Sequence, residues 1–151
     1  MMTRDRQIGM AIKKLSNNYT RFFDKVRKEV NHKVKCGKAV SRLQGWIIDF
    51  LFRESKNRDI FLKDIEKEFN IRRSTACNVV SRMENLGLII RMCRPEDARF
   101  KVIKLTGKAF DDHLEARQDF FKAEKQATKG IDEEELRVFL AVCEKISNNL
   151  T

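Results

Sequence analysis

From Ile8 onward, apolar residues return every third or fourth position: Ile8, Ala11, Ile12, Leu15, Tyr19, Phe22, Phe23 and Val26. Lys13, Lys14, Asn17, Asn18 and Arg21 fall on the other side, so the period predicts one amphipathic helix. The basic stretch 25–38, with Gly37, reads as helix end plus loop. Ser41 is the expected N-cap of a second helix running to about Arg53, with Leu43, Trp46, Ile47, Phe50 and Leu51 inward. Gly45 inside it is read as a close approach of another helix. Asp59 is expected to cap a short helix over 60–69, whose core side is Phe61, Leu62, Ile65 and Phe69. A further helix over 72–86 should stop at Gly87 in the C′ position. Leu88-Ile89-Ile90-Arg91 and Val102-Ile103-Lys104-Leu105 read as the strands of one hairpin around a polar stretch holding Pro95. Thr106 then caps a long helix over 107–128 with Phe110, Leu114, Phe120 and Phe121, and Gly130 breaks it. Asp132 and Glu135 form a capping box that opens a last helix carrying Leu136, Phe139, Leu140, Cys143, Ile146 and Leu150.

The order is four helices, a hairpin and two helices, a mostly α fold with one β-hairpin (α+β). Its 151 residues suit one domain, 1–151, and one core. Within it, 59–105 reads as a winged helix-turn-helix: two short helices, a tight turn, and a hairpin at once. The outer helices, 5–30 and 107–150, carry large residues such as Phe22, Phe23, Phe110, Phe120, Phe121, Phe139 and Leu150. A winged helix closes its core with about three helices, so these outer stripes want a partner, most simply the same surface of a second copy.

No apolar run approaches the ~18 residues of a membrane span, and 1–6 is charged with no apolar stretch behind it, so a cytoplasmic protein without membrane contact is expected. The four cysteines, Cys36, Cys77, Cys93 and Cys143, form no Cys-x-x-Cys pair, and His32 and His113 stand alone. Neither a metal site nor a disulfide framework is expected, and no cofactor is implied. Cys143 is assigned to the core and the others to the surface. No Ser-His-Asp set, phosphate-cradling glycine loop or carboxylate pair in apolar surroundings points to an enzyme.

Charge sharpens the picture. Residues 1–57 hold 14 basic and 5 acidic groups, 58–105 hold 11 and 7, and 106–151 hold 7 and 10. A basic body with a mildly acidic last third suits a chain with one face toward a polyanion. In the 72–86 helix, Ala76, Val79, Val80, Met83 and Leu86 face inward. Arg73, Ser74, Cys77, Asn78, Ser81 and Arg82 face outward, with Arg72 and Thr75 at the N-terminal edge, and no acid occurs from 71 to 83. Arg forks onto guanine, Asn matches adenine, and Ser or Thr serves bases or phosphates. At the hairpin tip, Arg91, Arg94, Arg99 and Lys101 surround Pro95, Glu96 and Asp97. Asp97 can pair with Arg99 or a neighbouring arginine and aim it into a narrow minor groove.

Four stretches resemble the multiple-antibiotic-resistance regulator (MarR) family of winged-helix repressors: Leu62-Lys63-Asp64-Ile65 leading to Ile71-Arg72-Arg73-Ser74-Thr75; Ser81-Arg82-Met83-Glu84-Asn85-Leu86-Gly87-Leu88-Ile89-Ile90-Arg91; Asp97-Ala98-Arg99-Phe100-Lys101 with Leu105-Thr106-Gly107-Lys108-Ala109; and Gly130-Ile131-Asp132-Glu133-Glu134-Glu135. Asp97 and Arg99 stand at that family's Asp-x-Arg wing positions. The resemblance implies a homodimer with interlocking first, fifth and sixth helices, bound to a palindromic operator in double-stranded DNA. Members of the family answer to phenolic and other small lipophilic ligands, to peroxide or to metals. A pocket for such an effector would lie near Tyr19, Trp46, Phe50 and His113. The peroxide-sensing pattern keeps its cysteine in the first helix, which has none here, although Cys36 among Lys33, Lys35 and Lys38 is placed for a lowered thiol pKa. The alternatives are a cysteine-based redox regulator of this fold and a winged-helix module for protein or RNA contact. Effector, operator and regulated genes are not legible.

Overall fold

The computed structural model describes residues 4–33 and 40–151. Six helices and one antiparallel hairpin follow in the order α1 (Arg4–Lys33), α2 (Arg42–Glu54), α3 (Leu62–Glu68), α4 (Arg73–Asn85), β1 (Ile89–Cys93), β2 (Lys101–Leu105), α5 (Gly107–Ala127) and α6 (Glu133–Asn149). Among the described residues, no helix is long and apolar enough to cross a membrane. Cys36, Lys35 and Lys38 lie outside the described residues.

Local chemistry sets the boundaries. Ser41 caps α2 through a reciprocal box: its hydroxyl accepts from the Gln44 N–H (3.3 Å), and Gln44 Oε1 accepts from the Ser41 N–H (2.8 Å). The α6 box matches it, with Asp132 Oδ1 accepting from Glu135 N–H at 2.8 Å and Glu135 Oε2 from Asp132 N–H at 3.0 Å. α3 departs from expectation. It begins at Leu62, with Phe61 as N-cap and Asp64 accepting from the Phe61 N–H (2.8 Å), so Asp59 is not its cap. Ile60 stays extended because its carbonyl accepts from the Ile103 N–H of β2 at 2.8 Å, which pins the start of α3 to the hairpin. α1 also continues to Lys33 through the stretch read as loop.

The core lies among α2, α3, α4, the hairpin and the first turn of α5. Ile47, Leu51, Ile60, Ile65, Ala76, Val80 and Met83 are fully buried there, beside Leu88, Ile89, Ile103 and Ala109. Burying each large aliphatic side chain contributes about 1.5–3 kcal/mol, so this cluster alone accounts for the winged-helix body. The outer helices contribute little to it. Ile8, Met10, Ile12 and Leu15 of α1 are exposed, and no residue of α6 is buried. Cys143 is therefore exposed rather than core: its stripe is not buried by any described residue of the same chain.

Gly45 marks no close helix approach. A Cβ built on it meets nothing within 4 Å, because the space beside it is a cavity. Gly45→Ala should then stabilise the protein by about 0.5–1 kcal/mol through helix propensity, read as a higher urea midpoint. A lower midpoint would mean that something does occupy that space.

Candidate nucleic-acid interface and the adjoining cavity

The turn between α3 and α4 is built on a left-handed residue. Asn70 has φ +47°, its N–H donates to Lys67 O (3.3 Å), and the Ile71 N–H donates to Glu66 O (3.1 Å). That hydrogen-bond pair closes the end of α3 and sends the chain into α4 two residues later. Gly87, at φ +72°, closes α4 the same way, with Gly87 N–H on Glu84 O and Leu88 N–H on Met83 O, both 2.9 Å. α4 is thus held at both ends between α3 and the hairpin.

Its two faces separate. Ala76, Val80 and Met83 are fully buried, with Val79 and Leu86 packed half-buried against them. Arg72, Arg73, Ser74, Thr75, Asn78 and Arg82 are exposed, and Cys77 and Ser81 are half-buried at the edge. Arg73 reaches Glu66 of α3 at 3.7 Å while most of its side chain stays in solvent. In the hairpin, Ile89 pairs with Leu105 and Cys93 with Lys101, leaving residues 94–100 as the projecting wing.

The four wing cations do not act alike. Arg99 is aimed by Asp97: its Nε and Nη2 donate to the two carboxylate oxygens at 3.1 and 3.2 Å, and its backbone N–H donates to Oδ1 at 3.0 Å. These bonds hold the Asp97 carboxyl below its ordinary 3.8, so the pair is intact at neutral pH and is lost only in acid. The Arg99 side chain is nevertheless 86% exposed, a fixed direction with a free outer edge. Arg91 instead pairs with Glu84 at the end of α4 (Nε to Oε2, 2.9 Å), and Arg94 pairs with Asp59 (Nε to Oδ2, 3.1 Å). Arg94 also lies over the Phe61 ring at 5.5 Å, and Phe61 meets Phe100 edge-on at 6.3 Å. Asp59, Phe61 and Glu84 thus seat the wing on the body, a role that pattern reading of the chain does not find. Their partners lie as far as 35 residues away in sequence, and no local period links them.

A charge argument alone says that Asp97→Ala tightens DNA binding by removing an acid. The geometry says the reverse, since a released guanidinium must be ordered again at a side-chain cost of about 0.5–1.5 kcal/mol. Affinity for one operator duplex at fixed salt should rank wild type above Asp97→Ala above Arg99→Ala, with every variant folded. Tighter binding by Asp97→Ala would reduce Asp97 to a repulsive charge.

Behind this face, α1, α2 and α5 enclose a cavity of about 300 Å³. Tyr19, Trp46 and His113 line it. Phe50 does not: it is buried against Phe69, rings edge-on at 5.9 Å, because the helix turns it from α1 toward α3. Burial and the neighbouring Glu124 carboxylate push the Tyr19 phenol up to about 12. His113 Nε2 lies 3.2 Å from Asp49 Oδ1, and Arg53 Nε donates to Asp49 Oδ2 at 2.8 Å. Together they hold the Asp49 carboxyl below its ordinary value. Among the described residues, no cluster of His, Cys, Asp and Glu could hold a metal ion.

No family model matches the chain. The fold does find close counterparts: the transcription regulator MarR from Oenococcus oeni superposes with a TM-score of 0.77 at 29% identity, over 93% of this chain and 98% of that one. The chain has the fold of the MarR-family winged-helix regulators. Two curated relatives agree with that placement. The HTH-type transcriptional regulator BilQ of Clostridioides difficile is 25% identical over 109 residues, 71% of this chain and 74% of the relative. The uncharacterised HTH-type regulator YdgJ of Bacillus subtilis is 21% identical over 125 residues, 83% and 74%. The chain is accordingly similar to DNA-binding transcription regulators of the winged-helix class.

Proposed function

We propose that the chain is a cytoplasmic repressor that binds a palindromic operator as a homodimer and is released by a small aromatic or otherwise lipophilic effector. The observation that carries the reading is the outward face of α4, where Arg72, Arg73, Ser74, Thr75, Asn78 and Arg82 are exposed with no acid among them, next to an Arg99 aimed by Asp97. α4 supplies groups for base edges in the major groove, with Ser81 and Cys77 at its margin, and the wing reaches the flanking minor groove. Homodimerisation is supported by the exposed apolar residues of the first half of α1, Ile8, Met10, Ile12 and Leu15, and by the stripe of α6, which no described residue of the same chain buries. A two-fold dimer presents two α4 helices, which calls for inverted half-sites about one helical turn, 34–36 Å, apart.

The effector reading is supported by the position of the cavity. α5 leaves the hairpin directly: the Thr106 hydroxyl caps it by accepting from Ala109 N–H at 3.2 Å and donates to Gly87 O at 2.8 Å. The same helix then forms a wall of the cavity at Asp112, His113 and Phe120. A ligand that shifts α5 against α2 therefore changes the spacing between the two reading heads.

Selection of random duplexes by purified protein tests the core of the proposal. An inverted repeat is expected, with residual sequence-dependent affinity at raised salt. Recovery of asymmetric or unrelated sequences, or an affinity that vanishes with salt on all duplexes alike, would turn the reading to a module for protein or RNA contact.

A further inference from the structure

We infer that the α1–α2–α5 cavity takes an aromatic cation, a flat ring ending in a protonated amine that meets Asp112. The inference rests on the effector reading above and adds the sign of charge that the site selects. The cavity, at about 300 Å³, is at the small end of ligand sites, the size for a single-ring molecule. Its walls are aromatic: Tyr19 stacks on Phe23 at 4.3 Å, and the Tyr19 and Trp46 rings lie nearly parallel, 14° apart in plane and 6.5 Å between centroids. Ring faces of this kind attract cations as well as other rings.

Most charged groups around the cavity already have a polar or aromatic partner. Asp24 is held by Arg42 (2.9 Å) and Arg27 (3.3 Å). Asp49 is held by Arg53 and His113, and Glu124 faces the Tyr19 hydroxyl. The Arg117 guanidinium lies over the Phe52 ring at 5.2 Å. Asp112 Oδ2 is buried and has no hydrogen-bond partner among the described residues. A desolvated carboxylate oxygen is costly to leave unpaired, and a ligand ammonium supplies both the missing donor and the missing charge. Arg27 Nε is also buried without a partner, but that guanidinium already carries its charge match in Asp24 and gives Nη1–H to Val40 O at 2.6 Å. What it offers a ligand is one hydrogen bond to a neutral acceptor such as a phenol oxygen. An anionic ligand would face the Asp112 carboxylate, while the Arg117 guanidinium is engaged on the Phe52 ring.

Three probes share one hydroxyphenyl ring and differ in end charge: tyramine (positive), tyrosol (neutral) and 4-hydroxyphenylacetate (negative). Each is titrated into the DNA-free protein at neutral pH by calorimetry, and by the fluorescence of Trp46, the only tryptophan of the chain. Tyramine should bind about tenfold more tightly than tyrosol, as one charge-assisted hydrogen bond predicts, and 4-hydroxyphenylacetate should bind most weakly. Asp112→Asn should bring tyramine down to the level of tyrosol while leaving tyrosol unchanged, and Asp112→Ser should do the same if the amide disturbs the fold. Equal or tighter binding of the anion, or a ranking unchanged in both variants, overturns the inference yet leaves an aromatic effector site. Binding of none of the three by protein that still selects an operator overturns it and leaves the repressor standing.

Discussion

Asn78→Ala is expected to weaken binding to the selected operator by about 10–100-fold, or 1–3 kcal/mol, while random duplex DNA loses about twofold or less. Asn78 is exposed at the middle of α4, one turn beyond Ser74 and one turn before Arg82. Residues four apart share a helix face, so the three form a line along the exposed, outward side of α4. An amide offers a donor and an acceptor together, which adenine alone matches in the major groove, so its removal deletes sequence information more than attraction. Ser74→Ala and Arg73→Ala should behave alike on the operator. Lys101→Ala is the contrast: an exposed cation of β2 with no base-reading geometry should weaken both DNAs about equally and lower the salt slope by about one unit. Titration of each variant against both duplexes at two salt concentrations separates the classes. Equal losses on operator and random DNA for Asn78→Ala would move sequence reading away from α4, to the wing.

The parts of the molecule legible in the sequence are those whose chemistry is local. Ser41 with Gln44, Asp132 with Glu135 and Gly87 after Leu86 each act within a turn of helix, and the structure has all three in place. The faces of α4 follow from a 3.6-residue period, and Asp97–Arg99 from a spacing of two. Asp59 misleads because an acid before an apolar run looks like a cap, whereas the β2 N–H of Ile103 holds Ile60 extended and Arg94 takes the carboxylate. Glu84 with Arg91 and Phe61 with Phe100 are tertiary pairings without a period to betray them. The cavity is legible only as a set of aromatics. Periodicity cannot divide Trp46, which lines it, from Phe50 one turn later, which fills the core. Cys143 is misassigned for a different reason: an apolar stripe shows that a surface is meant to be covered, and not whether the cover belongs to the same chain.

That last distinction leads to the largest expected effect. Leu140→Asp on α6 should convert a micromolar dimer into a monomer and reduce operator affinity by more than about 100-fold, since each half then binds alone. Leu140 is 58% exposed in the single chain, in a stripe with Leu136, Phe139, Cys143, Ile146 and Leu150. Covering one such side chain contributes about 1.5–3 kcal/mol, and two-fold symmetry makes every substitution count twice. An aspartate on each copy adds the cost of burying two like charges with no partner. The winged-helix body should survive, because its core from Ile47 to Ala109 includes no residue of α6. The variant should therefore keep helical circular dichroism and its affinity for random duplex DNA per protomer. Sedimentation at micromolar concentration together with operator titration decides the matter. A Leu140→Asp protein that still sediments as a dimer would place the interface elsewhere, on α1 and the exposed face of α5 at Leu114 and Phe121. A wild-type chain that sediments as a 17.8 kDa monomer would remove the two-fold reading, and the palindrome with it.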